Sequence, residues 1–242
     1  MNSKRQALIT GANKGIGLAI AKGLAEAGFF VWIGARDLVR GEQAVAELRK
    51  AGLDAGFVEL DVADDASVQD AATTLAAHIE ALDVLVNNAG IAVDMTRAPS
   101  QVRMQDMKAV YEVNLFGPVR VTQAFLPLLR AADQARIVMM GSGVGSLTLI
   151  TDPTSLYSTV NLLDYTSSKV ALNAVTVSFA KELAPLGIKV NAVEPGHVRT
   201  DLNGNSGVLT PEEGAAIAIK MALLESDGPT GGFFGSHGRQ PW

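Results

Sequence analysis

Short apolar runs alternate along the chain with longer segments in which apolar residues recur every three or four positions. Continuous apolar runs are typical of strands buried on both faces. Apolar residues that recur every three or four positions are typical of helices that pack along one side. The runs predict seven strands, at residues 7–9, 29–33, 56–60, 82–86, 136–140, 188–193 and 231–234. We therefore expect one α/β domain over residues 1–242, a doubly wound parallel sheet of about seven strands with helices on both faces.

Capping residues and prolines mark the expected helix boundaries. Asp37 and Asp64 each precede a predicted helix, and their side chains can accept from N–H groups of its first turn. Residues 104–129 predict one long helix that is disturbed at Gly117-Pro118, and residues 211–224 predict a last helix.

Composition narrows the classes of partner. The 242 residues carry a net charge of −5 and no block of lysine and arginine, which argues against a nucleic-acid partner. There is no cysteine, and the three histidines are too scattered to predict a metal site. The first residues lack a signal-peptide core, and no apolar run approaches the ~20 residues of a membrane span. We therefore expect a cytoplasmic protein without a membrane partner.

A glycine-rich turn follows the first strand and opens the first helix. Gly11, Gly15 and Gly17 permit a tight turn, a close approach of the backbone to a phosphate and close packing of helix on strand. The helix N-terminus adds free N–H groups and the positive end of its dipole. The spacing differs from the Gly-x-Gly-x-x-Gly dinucleotide fingerprint, and glycines also end turns without any binding role. The position between strand and helix favours nucleotide binding.

A tyrosine and a lysine share one face of a later predicted helix. Tyr165 and Lys169 are four residues apart, which places one above the other. A phenol keeps its proton to pH ~10, but a neighbouring ammonium favours the phenolate and lowers its pKa. By itself the pattern is common and favours a solvent-facing lysine beside a tyrosine, so the rest of the chain must decide.

Six motifs occur in a fixed order, namely Thr10-Gly-x-x-x-Gly-Ile-Gly17, Asn87-Asn-Ala-Gly90, Asn114, Ser142, Tyr165-x-x-x-Lys169 and Pro195-Gly196. Their order and spacing resemble those of the short-chain dehydrogenase/reductase family over nearly the whole chain. Within that family the chain is most similar to NADPH-dependent carbonyl reductases, through Asn13-Lys14 and Ala35-Arg36-Asp37. The resemblance implies a Rossmann fold and hydride transfer between a nicotinamide cofactor and a small carbonyl or alcohol substrate.

The resemblance also implies a catalytic set. Tyr165 would give a proton to the carbonyl oxygen, and Ser142 would hydrogen-bond the same oxygen. Lys169 would bind the nicotinamide ribose and lower the pKa of Tyr165, and Asn114 would anchor a proton-relaying water unless it is merely a polar helix residue. Where the family usually has two serines, this chain has glycine and Ser142, with Ser146 a weaker alternative deeper in the loop.

Charge at the end of the second strand bears on the choice of cofactor. An acidic residue there would bind the ribose of NAD and repel a 2′-phosphate, but the chain has Ala35 followed by Arg36, with Lys14 in the glycine turn. An arginine fork and a second cation suit a phosphate, so we expect NADP(H). The alternative is that Arg36 and Lys14 are solvated and Asp37 binds the ribose.

Further cofactor contacts are implied by the resemblance. Asp61 would accept from the adenine amino group and Pro195-Gly196 would hold the nicotinamide. The structural alternatives are a helix-entry cap for Asp61 and an ordinary turn for Pro195-Gly196, and either is compatible with the binding role. The expected cofactor-binding residues are Gly11, Asn13, Lys14, Gly15, Ile16, Gly17, Arg36, Asp61, Val62, Asn88, Ala89, Gly90, Tyr165, Lys169, Pro195, Gly196, Val198 and Thr200.

Residues 91–96, 143–147 and 201–209 are expected to bound the substrate pocket. The wall segment, residues 147–161, is longer than the family's compact form and rich in apolar residues, which argues against full exposure. It would line the pocket or cover the surface through which many family members dimerise, so the choice between monomer and homo-oligomer stays open. Residues 201–225 would form a lid loop and helix, with Gly204, Asn205 and Gly207 giving the loop mobility.

The sequence thus predicts an NADPH-dependent oxidoreductase that reduces hydrophobic ketones or aldehydes reversibly. Two alternatives stay open: an NAD-linked alcohol or sugar-alcohol dehydrogenase, and a nucleotide sensor that has kept the fold without turnover. The sensor is disfavoured because it requires the glycines but not Tyr165.

Overall fold

The structure, a computed structural model, describes residues 4–242 and shows in them one eight-stranded sheet with helices on both faces. The first three residues of the predicted 1–242 domain lie outside this range. The strands are β1 (Gln6–Thr10), β2 (Phe30–Ala35), β3 (Ala55–Glu59), β4 (Val84–Asn87), β5 (Arg136–Met140), β6 (Lys189–Val193), β7 (Phe233–Gly235) and β8 (Gly238–Gln240). The α-helices are α1 (Gly15–Glu26), α2 (Leu38–Lys50), α3 (Asp65–Ala76), α4 (Met104–Tyr111), α5 (Gly117–Ala131), α6 (Leu147–Thr151), α7 (Leu163–Leu183) and α8 (Pro211–Ala222).

The strand order is β3-β2-β1-β4-β5-β6-β7-β8, and every neighbouring pair is parallel except the last. The order reverses between β1 and β4, the switch point at which doubly wound sheets open a crevice for ligands. The predicted architecture is confirmed. The antiparallel β8 was not predicted, because Gly238-Arg-Gln240 has neither an apolar run nor an alternating pattern.

Two hydrophobic cores lie on opposite faces of the sheet, and successive residues of β1 enter different ones. Ile9 packs in the core that contains Ile20 of α1, whereas Leu8 packs in the core that contains Phe125 of α5 and Leu172 of α7. Burial of both faces is the reason that the strands read as continuous apolar runs. None of the helices in residues 4–242 combines the length and the apolar character of a membrane span.

Helix starts follow the expected capping residues. Asp37 accepts from the Arg40 N–H at 3.0 Å, and Asp64 accepts from the Ser67 N–H at 3.0 Å. Both predicted caps are confirmed. At the start of α8, Thr210 adds a reciprocal capping box with the residue three positions later.

The helix predicted over residues 104–129 is divided into α4 and α5 by a π-helical turn at Glu112–Phe116. The sequence predicted the interruption at Gly117-Pro118, but in the structure it begins earlier, at Glu112. Pro118 has no N–H to give to the carbonyl of Asn114, so the regular α-helical bond between these two residues cannot form.

The wall segment is more ordered than a loop. The hydroxyl of Ser146 accepts from the Leu149 N–H at 3.1 Å and starts the short helix α6. Farther along the segment, Leu156 is exposed whereas Tyr157 is partly buried. The segment therefore lies against the body of the protein at particular side chains rather than along its whole length.

Candidate active site

The predicted site residues follow strands that are neighbours in the sheet. β1, β4, β5 and β6 lie side by side and run parallel, so their carboxyl ends share one edge. The residues beyond those ends include the glycine turn after Thr10, Asn88, Ser142 and Pro195. The crevice at the switch point therefore receives motifs that are far apart in the sequence.

Thr10 joins the glycine turn to the Asn88-Ala89-Gly90 segment. Its hydroxyl accepts from the N–H groups of Asn88 and Ala89, both at 3.0 Å, and its carbonyl accepts from Asn88 Nδ2 at 2.8 Å. A methyl group on Gly11 would lie 3.0 Å from Cα of Ala89, and one on Gly17 would lie 2.6 Å from the Gly11 carbonyl oxygen. Close backbone approach therefore requires glycine at both positions, and Gly11 also has a φ of +64°.

The start of α1 fits a phosphate group. The helix begins at Gly15, and within the part of the chain that the structure describes its N-cap Lys14 makes no side-chain capping bond. The first N–H groups therefore lack a capping partner and lie at the positive end of the helix dipole. Asn13 and Ile16 flank this start, and Ile16 packs partly into the core beneath it. These residues fit the pyrophosphate of a dinucleotide cofactor.

The charged residues near the glycine turn have different surroundings. Lys14 Nζ lies 2.5 Å from Oδ2 of Asp201, and this hydrogen-bonded ion pair lowers the pKa of Asp201. Asp37 caps α2 and lies 3.2 Å from Nε of Arg40. Arg36 is exposed at the end of β2. Because Asp37 is engaged with α2, the geometry favours Arg36 over Asp37 as the residue that meets a cofactor.

Asp61 and Val62 lie beyond the end of β3. The Asp61 carboxylate accepts from the Ala63 N–H at 3.0 Å, while Asp64 caps α3. The alternative role of Asp61 as a helix cap is therefore wrong. Val62 is buried, and its carbonyl accepts from Arg120 Nη1 at 2.6 Å, which ties this part of the crevice to α5.

Tyr165 and Ser142 meet in the crevice, and both keep part of their surface accessible. Burial raises the pKa of Tyr165 above its usual value of 10.0, and a hydrogen bond with Ser142 acts in the opposite direction. The sequence predicted a pKa lowered by Lys169, but in this structure desolvation of the phenolate outweighs other influences. A phenol with a raised pKa stays protonated at neutral pH, as a proton donor must.

Lys169 is buried, with 4% of its surface exposed. Its Nζ donates to the Met140 carbonyl at 2.8 Å and lies 5.6 Å from the centroid of the Tyr165 ring. Burial lowers the pKa of Lys169 to about 8. The alternative of a solvent-facing lysine is therefore wrong, and the lysine places a cation beneath the tyrosine.

Asn114 lies in the π-helical turn and is fully buried. Its Oδ1 accepts from the Ile91 N–H at 2.8 Å, and its Nδ2 donates to the Ile91 carbonyl at 2.9 Å. A methyl group on Gly90 would lie 3.5 Å from Asn114 Oδ1 and 3.7 Å from Lys169 Nζ, so Gly90 separates these two groups. Because the side chain is engaged with Ile91, a role in a water relay would fall to the backbone carbonyl of Asn114.

The residues that follow β6 contact both the lid and the glycine turn. Gly196 has a φ of +80°, and the buried Val198 accepts through its carbonyl from Asn203 Nδ2 at 2.9 Å. A methyl group on Gly15 would lie 3.7 Å from Cγ2 of Thr200. The Pro195–Thr200 stretch thus crosses from the end of the sheet to the start of α1.

The two serines beyond β5 are in different environments. Ser146 is fully buried and its hydroxyl caps α6, whereas Ser142 is partly accessible and lies near enough to Tyr165 to influence its pKa. A substrate can therefore reach Ser142 but not Ser146.

Two polar residues near Gly143, Tyr157 and Glu194, were not predicted as site residues. The hydroxyl of Tyr157 donates to the carboxylate of Glu194, and the Tyr157 ring lies against Gly143. The two residues are 37 positions apart, so no local pattern relates them. The concentration of apolar residues around Tyr157 was the available signal, and it indicated only that the wall segment is not fully exposed.

A doubly wound parallel sheet with a glycine-rich turn between β1 and α1, and a buried lysine beside a tyrosine and a serine, is typical of Rossmann-type oxidoreductases. The family model for short chain dehydrogenases matches residues 5–208. The chain therefore belongs to the short-chain dehydrogenase family, and the resemblance seen in the sequence is confirmed.

Curated relatives and solved structures agree with this assignment. The chain is 35% identical to short-chain dehydrogenase/reductase 1 of Saponaria officinalis, over 96% of this chain and 94% of that protein. It is 32% identical to salutaridine reductase of Papaver bracteatum, over 95% of this chain and 94% of the relative. The crystal structure of an NADPH-bound carbonyl reductase from chicken fatty liver superposes with a TM-score of 0.86 at 30% identity, covering 98% of this chain and 99% of that one.

Proposed function

We propose that the protein is an NADPH-dependent carbonyl reductase that converts hydrophobic ketones or aldehydes to alcohols and catalyses the reverse reaction. The observation that carries this proposal is the convergence of Ser142, Tyr165 and Lys169 at the edge of the sheet where the glycine turn also lies. The similarity to a salutaridine reductase and to an NADPH-bound carbonyl reductase supports the same class of reaction.

In this proposal the residues divide the work of carbonyl reduction between them. The bound cofactor would supply the hydride to the carbonyl carbon. Ser142 donates a hydrogen bond to the carbonyl oxygen, and Tyr165 gives that oxygen a proton as negative charge develops on it. Lys169 holds a cation beneath the phenol and favours the phenolate that remains after proton transfer.

The binding residues are proposed to follow the path of the dinucleotide. The N-terminus of α1 binds the pyrophosphate, while Lys14 and Arg36 bind the 2′-phosphate. Residues 201–225 act as the lid over the substrate pocket. Their first residue, Asp201, contacts Lys14 of the glycine turn, so the segment begins beside the crevice in which the dinucleotide is proposed to bind.

Replacement of Tyr165 by Phe tests the mechanism. We expect kcat with NADPH and a panel of ketones, aldehydes, diketones and quinones to fall by about 10²–10⁴-fold. The Kd for NADPH, followed by its fluorescence, should stay the same. Tyr111→Phe, on α4, is the matched control and should keep full activity.

The outcomes separate the proposal from its alternatives. Retained activity in Tyr165→Phe would contradict the proton-donor role. A wild-type protein that binds NADPH but reduces no member of the panel would favour the nucleotide sensor, and a preference for NADH with sugar alcohols would favour the NAD-linked dehydrogenase.

A further inference from the structure

The ring of Tyr157 fills the space next to Gly143. A methyl group added to Gly143 would overlap the ring and hydroxyl of Tyr157, so the ring lies where a side chain of residue 143 would otherwise be. Gly143 is buried and directly follows Ser142. The Tyr157 ring therefore lies against the residue that directly follows Ser142, whose hydroxyl is proposed to hold the carbonyl oxygen.

Glu194 reaches the same place from β6. β5 and β6 pair with Met140 beside Val193, so the next residues, Gly141 and Glu194, stand side by side at the ends of the two strands. The backbone N–H of Glu194 also donates to the carbonyl of Phe234 at 2.8 Å, which fixes the residue on β7. The acceptor of the Tyr157 hydroxyl is thus attached directly to the sheet.

Among residues 156–158 of the wall segment, Tyr157 is the one whose side chain packs inward. Leu156 is 91% exposed and Ser158 is exposed as well, whereas Tyr157 between them is partly buried. Burial and the hydrogen bond to Glu194 raise the pKa of Tyr157. The phenol therefore remains a donor at all physiological pH values, and a bond from a phenol to a carboxylate is of the stronger, charge-assisted kind.

We propose that Tyr157 is a specificity-determining residue whose ring forms the face of the pocket next to the reacting carbonyl, and that Glu194 is a positioning residue that holds it there. The inference rests on the proposed carbonyl reduction. An aromatic face beside the partly buried carboxylate of Glu194 suits uncharged ketones with a flat apolar substituent, and it disfavours ketones that carry a carboxylate near the carbonyl.

Substrate selectivity tests the role of Tyr157. The quantity measured is the ratio of kcat/KM for 2-acetylnaphthalene to kcat/KM for acetophenone, with NADPH. Tyr157→Ala opens the pocket and should change this ratio about tenfold, within the range that pocket contacts of this size produce. Tyr157→Phe keeps the ring and should change the ratio less. An unchanged ratio in Tyr157→Ala, with both substrates slowed equally, would overturn the specificity role.

Hydrogen exchange tests the role of Glu194 without using turnover. Amides of residues 152–161 should exchange about tenfold faster in Tyr157→Phe and in Glu194→Ala, because the bond that holds the segment is lost. Glu194→Gln retains an acceptor and should restore slow exchange. Tyr111→Phe and Glu182→Ala, on α4 and α7, are the matched controls and should match the wild type.

The two experiments fail in different ways. Equal exchange in all variants would overturn the positioning role of Glu194, whatever the enzyme reduces. A wild-type protein that reduces neither ketone would contradict the proposed function for this class of substrate, while the exchange data would still decide whether Glu194 holds Tyr157.

Discussion

Lys169 is a residue whose charged form is disfavoured by the fold. Burial lowers its pKa from 10.5 to about 8, so between these values the unfolded chain binds more protons than the folded one. Stability must therefore rise with pH across this window. We expect the free energy of unfolding of the cofactor-free protein to increase between pH 8 and pH 10 by roughly 1 kcal/mol per pH unit. Urea unfolding at several pH values measures it.

A matched pair of variants isolates this effect. Lys169→Met should remove the rise, whereas Lys181→Met, at an exposed position of the same helix, should preserve it. The range stops at pH 10 because the raised pKa of Tyr165 acts with the opposite sign above its usual value of 10.0. A rise that persists in Lys169→Met would contradict the assignment to this lysine.

Arg36 is the residue on which the choice of cofactor is expected to depend. It is exposed at the end of β2, and the neighbouring Asp37 is engaged in capping α2. Arg36→Glu should raise the Kd for NADPH by at least about tenfold, since a hydrogen bond to a charged group is lost, and should change the Kd for NADH little. Lys50→Glu, at the far end of α2, reverses an exposed charge as a control. Equal weakening of both cofactors would contradict the role of Arg36.

The sequence predicted the positions of some site residues but not those of others. The Tyr165 and Lys169 pair was predictable because the helical period relates residues four positions apart. Its pKa values were not, since burial depends on elements that are distant in the sequence. The Tyr157 and Glu194 pair could not be predicted for the same reason, because Tyr157 meets Gly143 and Glu194 only when β5, β6 and the wall segment come together.

At the scale of elements, the proposed lid is tied to the glycine turn through the exposed ion pair between Lys14 and Asp201. If Lys14 binds the 2′-phosphate as proposed, it cannot bind Asp201 at full strength at the same time, so we expect Asp201 to compete with the cofactor. Exposed pairs contribute at most about 1 kcal/mol, and Asp201→Asn should therefore lower the Kd for NADPH by about two- to fivefold at low salt. The gain should vanish at high salt because of screening.

NADH and a distant aspartate provide the controls for the lid. Asp201→Asn should leave the Kd for NADH unchanged, because that cofactor has no 2′-phosphate. Asp227→Asn, at an exposed position beyond α8, should affect neither cofactor. Weaker NADPH binding in Asp201→Asn would show that the aspartate helps to order the lid instead of competing with the phosphate.

Element boundaries were predictable where their causes are local. Asp37 and Asp64 lie beside the N–H groups that they cap, so the sequence alone placed both helix starts. The π-helical turn at Glu112–Phe116 was placed late, at Gly117-Pro118, because a proline removes a bond to a carbonyl one turn earlier. Helix α6 was missed because it depends on the single hydroxyl of Ser146, within a stretch too short for a period to show.

At the scale of the whole molecule, the parallel doubly wound sheet was predictable from the alternation of strand and helix, but the attachment of the wall segment was not. Trp242 stacks on Phe233 of β7, with ring centroids 5.8 Å apart and 14° between the ring planes. Its carbonyl oxygen accepts from the hydroxyl of Thr148 at 2.8 Å and from the Thr148 N–H at 3.2 Å. Trp242 therefore joins strand β7 to helix α6.

Trp242→Ala should loosen this junction. Loss of a stacked but partly accessible indole should lower the free energy of unfolding by about 2 kcal/mol, below the range for fully buried aromatic residues. In a domain of this size that corresponds to a fall in Tm of about 4–8 °C, measurable by thermal unfolding. Thr148→Val removes only the hydroxyl bond and should cost about 1 kcal/mol. Leu156→Ala, at a 91% exposed position of the wall segment, should leave Tm unchanged. If Thr148→Val were as destabilised as Trp242→Ala, the junction would depend on the hydrogen bond rather than on the stacked rings.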